Sequence, residues 1–522
     1  MTATSALVRA GLVVSGAFLI SRLLGYVRVV VFVYAFDAPQ LDTFFAAFRI
    51  PDLIFQLVAA GALSSALVPI VSALLEREEH SHAWRVVSTV INLMLVALAL
   101  LAGILFVLAP VVVEAITPGF RDEQLEQTIT LTRIMLLSPI FLALGSVATS
   151  VLNSGGQFAA SAVAPIVYNL AIIGGALFLA PSLGIEGLAV AVVAGSLGHL
   201  LVQLLPVRRL GFRYVPRIDW GDPEARRALL LMAPRALGLG ANQVTFIVVT
   251  ALASGLAVGA VADFNIAFTL LQIPIGVIGV PLGIVLLPSL SRDAAVGREV
   301  EFARLLTRSL RLIIFVMIPI AGLLAVLRHE VVDLLFGGGK IDDANLAIIA
   351  TTLSWFLIGL AAHALIAVLA RAFYARQDTL TPVLVAVVAV FANTTLAIAL
   401  VGPLGLSGIA LAIAIAAWLE AITLLVILRL RTLDVGLRDL ARVATQAVVG
   451  TVVGSALAFG TAAVIGGVSG TDPSAIALVV AIAVTSAVFG VAYAGVAVVL
   501  RIPELASIVE VMVGLVRRPF RS

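Results

Sequence analysis

The first hydrophobic segment carries two arginines where a lipid bilayer offers almost no solvation. Arg22 and Arg28 lie in the run SRLLGYVR, with apolar sequence on both sides. One arginine near the centre of a spanning helix costs about 2.5–3.5 kcal/mol on insertion scales, so such residues usually face a cavity or a partner. No acidic residue in the same segment balances the pair. The pattern predicts a site that binds an anion.

The second hydrophobic segment adds charges of both signs. Arg49 precedes Asp52 by three residues, a spacing that permits an ion pair on one helix face, and Asp42 lies at the predicted outer mouth. An internal ion pair and a substrate contact both remain open for Arg49. Arginine suits phosphate, because its planar fork offers paired donors and a permanent charge. Arg22, Arg28, Arg49, Asp42 and Asp52 are the predicted substrate-binding residues.

A coupling-ion site is a second expectation, in the other half of the chain. Glu420 is the carboxylate well inside a predicted span there, and Gln243, Asn393 and Asn242 are polar residues of other spans. Na⁺ or H⁺ could bind at Glu420, Asn393 and Gln243; a protonated or hydrogen-bonded glutamate is the alternative, and the membrane potential is another energy source. No Walker motif, HExxH or nucleophile elbow is present, so the sequence predicts no enzyme, metal or cofactor.

Composition defines the elements that must hold these residues. The 522 residues are 62% hydrophobic and 12% charged, against about 25% charged in soluble domains, and the mean hydropathy is +1.18. The chain has no cysteine. At about 20 apolar residues per crossing, the sequence predicts an all-α polytopic membrane protein with fourteen transmembrane helices at 9–36, 43–75, 86–116, 128–152, 158–180, 185–206, 228–257, 263–290, 312–327, 345–370, 380–402, 405–428, 443–467 and 474–500.

Basic residues predict the orientation of these spans. Most of the 32 basic residues fall in loops on the side of the amino terminus. Positive charge in short loops stays in the cytoplasm, so both termini are expected there. The same bias explains the basic pI without any nucleic-acid partner.

Internal repetition predicts how the spans are grouped. The segment 183–191 recurs at 404–412, and 67–72 recurs at 286–291, at offsets of about 220 residues that enclose six spans. Because six is even, the two units have the same topology, and such parallel repeats are typical of alternating-access transporters. The predicted organisation is an N-lobe at 1–215, a C-lobe at 216–432 around a central cavity, and two extra helices with a cytoplasmic tail at 433–522.

A set of motifs, in order along nearly the whole chain, resembles a known family. SRLLGYVR, DTFFAAFRIPDL and GALSSALVPIVSALL are similar to the opening signature of the lipid II flippase (MurJ/MviN) family of the multidrug/oligosaccharidyl-lipid/polysaccharide (MOP) exporter superfamily. LNSGGQFAASAVAPIVYNLAII, PRALGLGANQ, IPIGVIGVPLGIVLLPSLSRD and AFYARQDTLTPV complete the set.

The resemblance implies a flippase that moves polyprenyl-pyrophosphate-linked lipid II from the inner to the outer leaflet of the bacterial cytoplasmic membrane. It implies a cationic central cavity for the head group, in which Arg22, Arg28 and Asp42 match positions that matter in the family. The last two spans would form a groove for the polyprenyl tail. Expected partners are this lipid, membrane lipids and cell-wall synthesis proteins, with the protein itself a monomer.

Four positions depart from the family pattern. Val29, Phe55 or Gln56, Ala60 and Thr269 stand where the family commonly has a charged residue. The departures leave open a flippase for another lipid-linked oligosaccharide and a scaffold for envelope synthesis that transports nothing. A multidrug antiporter would share the two-lobe architecture, but it would favour acids in the cavity, whereas this chain buries net positive charge.

Overall fold

Helices make up most of the residues that the computed structural model describes, which are 3–58, 62–431, 435–469 and 474–506. Within these ranges, the side chains of 3–15, 58, 62–66, 233–242 and 466–469 fall outside the description. No strand occurs in the described ranges. The helices are α1 Ala3–Ala35, α2 Ala38–Val58, α3 Ala62–Glu76, α4 His80–Ile116, α5 Asp122–Met135, α6 Ser138–Ser154, α7 Phe158–Gly174, α8 Ala180–Arg209, α9 Pro223–Ser254, α10 Ala260–Pro274, α11 Val280–Ala295, α12 Glu299–Val326, α13 Arg328–Phe336, α14 Asp343–Leu357, α15 Leu360–Ala375, α16 Leu380–Leu404, α17 Leu406–Leu430, α18 Leu437–Ser469 and α19 Ala475–Val499.

The helices make this a multi-pass membrane protein. Among the described residues, ten helical segments are long and apolar enough to cross a membrane, or eleven when α14 and α15, bent by 48°, count as one span. Helices satisfy their backbone hydrogen bonds internally, which a bilayer core requires. Large side chains such as Val107, Val111 and Phe178 are exposed on these helices, because lipid rather than water surrounds them. The all-helical membrane architecture predicted from composition is confirmed.

Proline lies within the second and eighth predicted spans. In the second, Pro51 lies inside α2 and Pro69 lies inside α3. In the eighth, a π-helical turn at Ile275–Gly279 follows Pro274 and separates α10 from α11. Proline removes a backbone donor and clashes with the preceding turn, so these spans cannot be regular helices from end to end.

The chain forms two compact units, of which the first comprises Met1–Ala262 and Gly339–Ile341. Its core includes an aromatic group on α1 and α2: the Phe32 ring meets Phe44 edge-on at 5.3 Å, and Phe44 stacks on Phe48 at 6.1 Å. Lys340 N donates to the Val33 carbonyl at 2.8 Å. These contacts hold the end of α1 against the beginning of α2.

The second unit comprises Asp263–Gly338 and Asp342–Ser522. Phe264, Phe268 and Phe356 form an aromatic group in its core, with ring centroids 5.4–5.9 Å apart. Helices α18 and α19 pack on each other, and α18 also packs along α12. The residues of the predicted tail helix beyond 506 lie outside the described part of the chain.

The internal repeat is visible in local geometry. Gly184 and Gly405, at matching positions of the two copies, adopt nearly the same left-handed conformation, φ 60° with ψ −145° and φ 57° with ψ −136°. Three residues later, a Cβ on Gly187 or Gly408 would press on a backbone carbonyl of the preceding helical segment. Each copy therefore turns sharply between two helices that pack closely. The division into lobes at 1–215, 216–432 and 433–522 stays a prediction.

Candidate functional site

Helix α1 holds the two arginines of the opening motif. The guanidinium of Arg22 lies 5.2 Å from the ring centroid of Phe18, and that of Arg28 lies 5.9 Å from the ring of Phe32. Both arginines are half-buried, and the Arg28 Nε is a buried atom without a hydrogen-bond acceptor among the described residues. Neither has a carboxylate within 4.0 Å in that part of the chain. Both guanidiniums therefore contact aromatic faces, with no direct ion pair among the described residues.

Arg49 joins α2 to α9. Its Nε donates to the Thr250 hydroxyl at 3.1 Å, and its guanidinium lies 5.0 Å from the ring centroid of Phe246. The side chain is buried. The hydroxyl and the aromatic face together fix the position of the guanidinium.

Asp52 is the acidic member of the same site. Its Oδ2 accepts from the Gln243 amide at 2.9 Å, and its Oδ1 from Gln56 at 3.5 Å. The guanidiniums of Arg49 and Arg28 both act on it electrostatically. The structure thus brings together Arg28, Arg49 and Asp52, which we call the arginine–aspartate cluster. Its formal charge is positive, as an anion site requires.

Asp42 is engaged elsewhere in the first unit. Its carboxylate is 2% exposed and accepts from the backbone N–H of Gly259 and of Ala262, each at 2.7 Å. Gly259 has φ 90°, a conformation open to glycine without strain. The carboxylate therefore ties α2 to the connection between α9 and α10, and in this structure its hydrogen-bonding capacity serves that link.

The predicted coupling-ion residues are divided between the two units. Gln243 belongs to the first unit and binds Asp52. Asn393 on α16 is 3% exposed, and neither polar atom of its side chain has a hydrogen-bond partner among the described residues. Glu420 is half-buried on α17. The side chains of Asn242 and Arg235 lie outside the described residues, and no cluster of three or more metal-binding side chains occurs within the described ranges.

The departures from the family pattern are accommodated by packing. Val29 is buried, and Phe55 packs against the core of the first unit. The Thr269 hydroxyl donates to the Asn265 carbonyl of its own helix at 2.7 Å. Ala60 lies outside the described residues. Apolar or self-satisfied side chains thus occupy three of the positions where family members commonly carry charge.

Sequence reasoning missed Phe246 and Thr250 of α9 and Tyr168 of α7, and it assigned Gln243 to the coupling-ion site instead. Gln243, Phe246 and Thr250 follow one another at i, i+3 and i+7, the spacing of one helix face, and all three contact Arg49 or Asp52. That stripe was readable from the sequence. Tyr168 of α7, an electrostatic neighbour of Arg28, gave no such signal, because its proximity arises from packing between helices.

Solved structures with the same fold are known. A lipid II flippase MurJ in an inward closed conformation matches with a TM-score of 0.77 at 22% identity, over 94% of this chain and 98% of that one. An inward-facing multidrug-resistance MATE transporter of the MOP superfamily matches with a TM-score of 0.64 at 16% identity, over 80% of this chain and 97% of that one. The chain shares the fold of these two proteins.

Sequence comparison gives the family. The model of the family described as "Lipid II flippase MurJ" matches residues 33–502. The probable lipid II flippase MurJ of Rhizobium tropici is 36% identical over 433 residues, 81% of each chain. The lipid II flippase MurJ of Burkholderia cenocepacia is 34% identical over 436 residues, 81% of this chain and 84% of its own. The chain belongs to the MurJ lipid II flippase family, and the resemblance seen in the motifs is confirmed.

Proposed function

We propose that this protein moves lipid II from the inner to the outer leaflet of the cytoplasmic membrane by alternating access, without nucleotide hydrolysis. Family membership supports the substrate. The observation that carries the mechanism is the arginine–aspartate cluster, where Arg28 and Arg49 lie near one carboxylate, Asp52, among the described residues. A pyrophosphate supplies the missing negative charge and the acceptors that a guanidinium fork binds in pairs. Arg22, earlier on α1, would extend the cationic path, and Asp42 would hold the α9–α10 connection while the head group is bound.

A flipping assay in proteoliposomes, with complementation of a strain depleted of its own lipid II flippase, tests this proposal. Arg28→Ala should abolish flipping at normal expression, and Arg28→Lys should restore little, because lysine lacks the bidentate fork. Arg133→Ala is the matched control: Arg133 is also a cation within a span, but it donates to the Phe106 carbonyl and lies outside the cluster. Full activity of an Arg22→Ala/Arg28→Ala double variant would refute the site.

Fourteen crossings are part of the same proposal, and helix geometry supports them. The segment Phe158–Arg209 has 52 residues, about 78 Å as a continuous helix, more than twice the roughly 30 Å of a bilayer core. It therefore crosses twice, turning at Gly184. The α2–α3 pair carries Arg49 and Asp52 of the cluster, and α9 carries charges of its own, including Arg235. These charges lower the hydropathy of both segments, and each is long enough for one further crossing. With α14–α15 as one span the total is fourteen, and the basic loops then place both termini in the cytoplasm.

The lobes and the tail groove belong to the same proposal. Spans one to six would form the N-lobe, spans seven to twelve the C-lobe, and the head group would occupy the cavity between them. Spans thirteen and fourteen, α18 and α19, would bind the polyprenyl tail. We propose a monomer that contacts cell-wall synthesis proteins. If residues 9–206 superpose on 228–428 only after one set is inverted, the parallel repeat is wrong.

Energy for the cycle would come from the membrane potential or a cation gradient. When a net positive site carries an anionic head group, the free energy of the reset step depends on the membrane potential, by roughly 2.3 kcal/mol per charge per 100 mV. Flipping that does not change when the potential is collapsed would exclude this source. Asn393 and Glu420 would bind Na⁺ or H⁺ in the second unit, whereas Gln243 is bound to Asp52 in the first. A Glu420→Gln variant whose flipping shows unaltered sodium and pH dependence would exclude this ion site.

A second candidate function follows from the departures. With Val29, Phe55 and Thr269 packed or self-satisfied, the site offers fewer charges than the family pattern, and a different lipid-linked oligosaccharide would fit such a site. Failure to complement, together with flipping of another polyprenyl-pyrophosphate sugar in proteoliposomes, distinguishes this cargo from lipid II.

A further inference from the structure

A polar cavity lies at the beginning of α18 and just beyond the end of α19 in the second unit, among residues that the transport proposal does not use. It has a volume of about 190 Å³ and lies among α12, the beginning of α18 and the residues that follow α19. Its polar lining is Arg311, Asp439, Arg442, Gln446 and Arg501. In the proposed orientation this is the cytoplasmic end of α18 and α19.

The cavity carries an excess of positive charge. Arg311 is paired: its Nε lies 2.6 Å from Oε1 of Glu504, whose side chain is 7% exposed. Arg442 and Arg501 have no carboxylate within 4.0 Å in the part of the chain that the structure describes. Asp439 lies in the first turn of α18, where the positive end of the helix dipole offsets its charge. Two guanidiniums therefore lack an acidic partner on one side of a small cavity.

The backbone holds one of these guanidiniums at a cost. Arg501 follows the end of α19 with φ 51°, a left-handed conformation that glycine usually supplies at a helix terminus and that costs other residues about 1–2 kcal/mol. The turn is fixed by a bond from Ile502 N to the Ala497 carbonyl at 2.9 Å and by Gln446, whose amide donates to the Leu500 carbonyl at 3.2 Å. Arg501 thus occupies a position where glycine is usual, and its charged side chain lines the cavity.

We propose that this cavity binds the phosphate group of an anionic phospholipid of the inner leaflet. Guanidinium forks match phosphate oxygens, and basic pockets between transmembrane helices on the cytoplasmic side are suited to anionic headgroups. Free phosphate has the same chemistry, but a cavity at the ends of membrane-spanning helices lies at the depth of the headgroups. The site is separate from the arginine–aspartate cluster, and its occupation does not require that the protein flip lipid II.

Lipid retention by the full-length protein tests the proposal. The protein is reconstituted in nanodiscs of phosphatidylglycerol and phosphatidylcholine, extracted, and the retained lipids are counted by native mass spectrometry. The wild type should retain phosphatidylglycerol selectively, and an Arg442→Gln/Arg501→Gln variant should bind it at least about tenfold more weakly, the effect of losing one charge-assisted hydrogen bond or more. Arg438→Gln, on an exposed arginine of the same helix outside the cavity, removes one charge as a control and should change retention less than about twofold.

Two further arms decide the remaining outcomes. Arg501→Gly removes the guanidinium while relieving the left-handed strain, so it should fold at least as well as the wild type and still retain less phosphatidylglycerol. Inorganic phosphate is added to lipid-depleted protein in a thermal unfolding assay. Equal phosphatidylglycerol retention by wild type and variants would overturn the proposal, and stabilisation by phosphate without selective lipid retention would replace the lipid by a soluble anion.

Discussion

The hydroxyl of Tyr493 satisfies a carbonyl that a proline leaves without its helical partner. In α12, Pro319 has no N–H to donate to the carbonyl of Phe315, four residues earlier. Tyr493 of α19 donates its hydroxyl to that carbonyl at 2.7 Å in a buried position. Its ring also packs on Phe315 with centroids 5.2 Å apart and stacks on Phe489 at 6.3 Å. Tyr493→Phe therefore removes the hydrogen bond and keeps the ring contacts.

The expected loss on Tyr493→Phe is about 1–2 kcal/mol in the free energy of unfolding. Interhelical hydrogen bonds in membrane proteins average about 0.6 kcal/mol and reach about 1.7, while a buried acceptor left unsatisfied costs about 1–3 kcal/mol. The upper part of the range applies here, because Pro319 removes the intrahelical alternative. Unfolding in mixed micelles, followed by circular dichroism, measures the change, and Tyr34→Phe, at an exposed tyrosine, should change stability by less than about 0.5 kcal/mol.

A double-mutant cycle tests the reasoning. Pro319→Ala returns an N–H to the helix, so the Phe315 carbonyl regains a partner of its own. In that background Tyr493→Phe should cost about 1 kcal/mol less than in the wild type. Equal costs in both backgrounds would show that the hydroxyl does not compensate for the proline.

Three further changes follow from the first unit. Asp42→Asn should accelerate hydrogen exchange of the Gly259 amide by about 10-fold or more in exchange mass spectrometry, because a charge-assisted bond of about 1.5–3 kcal/mol is weakened. Asp222→Ala should lower thermal stability by about 0.5–2 kcal/mol, because its carboxylate caps the beginning of α9. Gly119→Ala should reduce the yield of folded protein in size-exclusion chromatography, because its Cβ would lie 1.9 Å from the Ser254 carbonyl oxygen.

Each change has a control in the same region. Asp37→Asn alters an exposed carboxylate that accepts a hydrogen bond from the Gln40 backbone N–H. It should leave the hydrogen exchange of the Gly259 amide unchanged. Asp219→Ala removes a carboxylate near α9 without removing its cap, and Gly103→Ala adds a methyl group where no atom lies within 4 Å. Effects of equal size in a variant and its control would contradict the corresponding contact.

Local chemistry in the sequence determined the helical membrane class, the unbalanced arginines and the internal repeat. Apolar runs of this length admit one type of backbone in a bilayer, since hydrogen bonds must close within the segment. Arg22 and Arg28 stood out because their own span has no acid. The recurrence of Gly184 at Gly405 was equally visible, because a left-handed turn needs the same residue type in both copies.

Tertiary structure alone decided which side chains meet. Asp42 reads as a carboxylate at a pore mouth, yet it bonds backbone amides more than 200 residues away. Arg49 and Asp52 read as an i, i+3 pair, yet α9 supplies the hydroxyl to one and the amide to the other. Spacing along one helix reports which residues share a face. The partner of that face depends on how distant helices pack, and the sequence of a single helix does not contain that information.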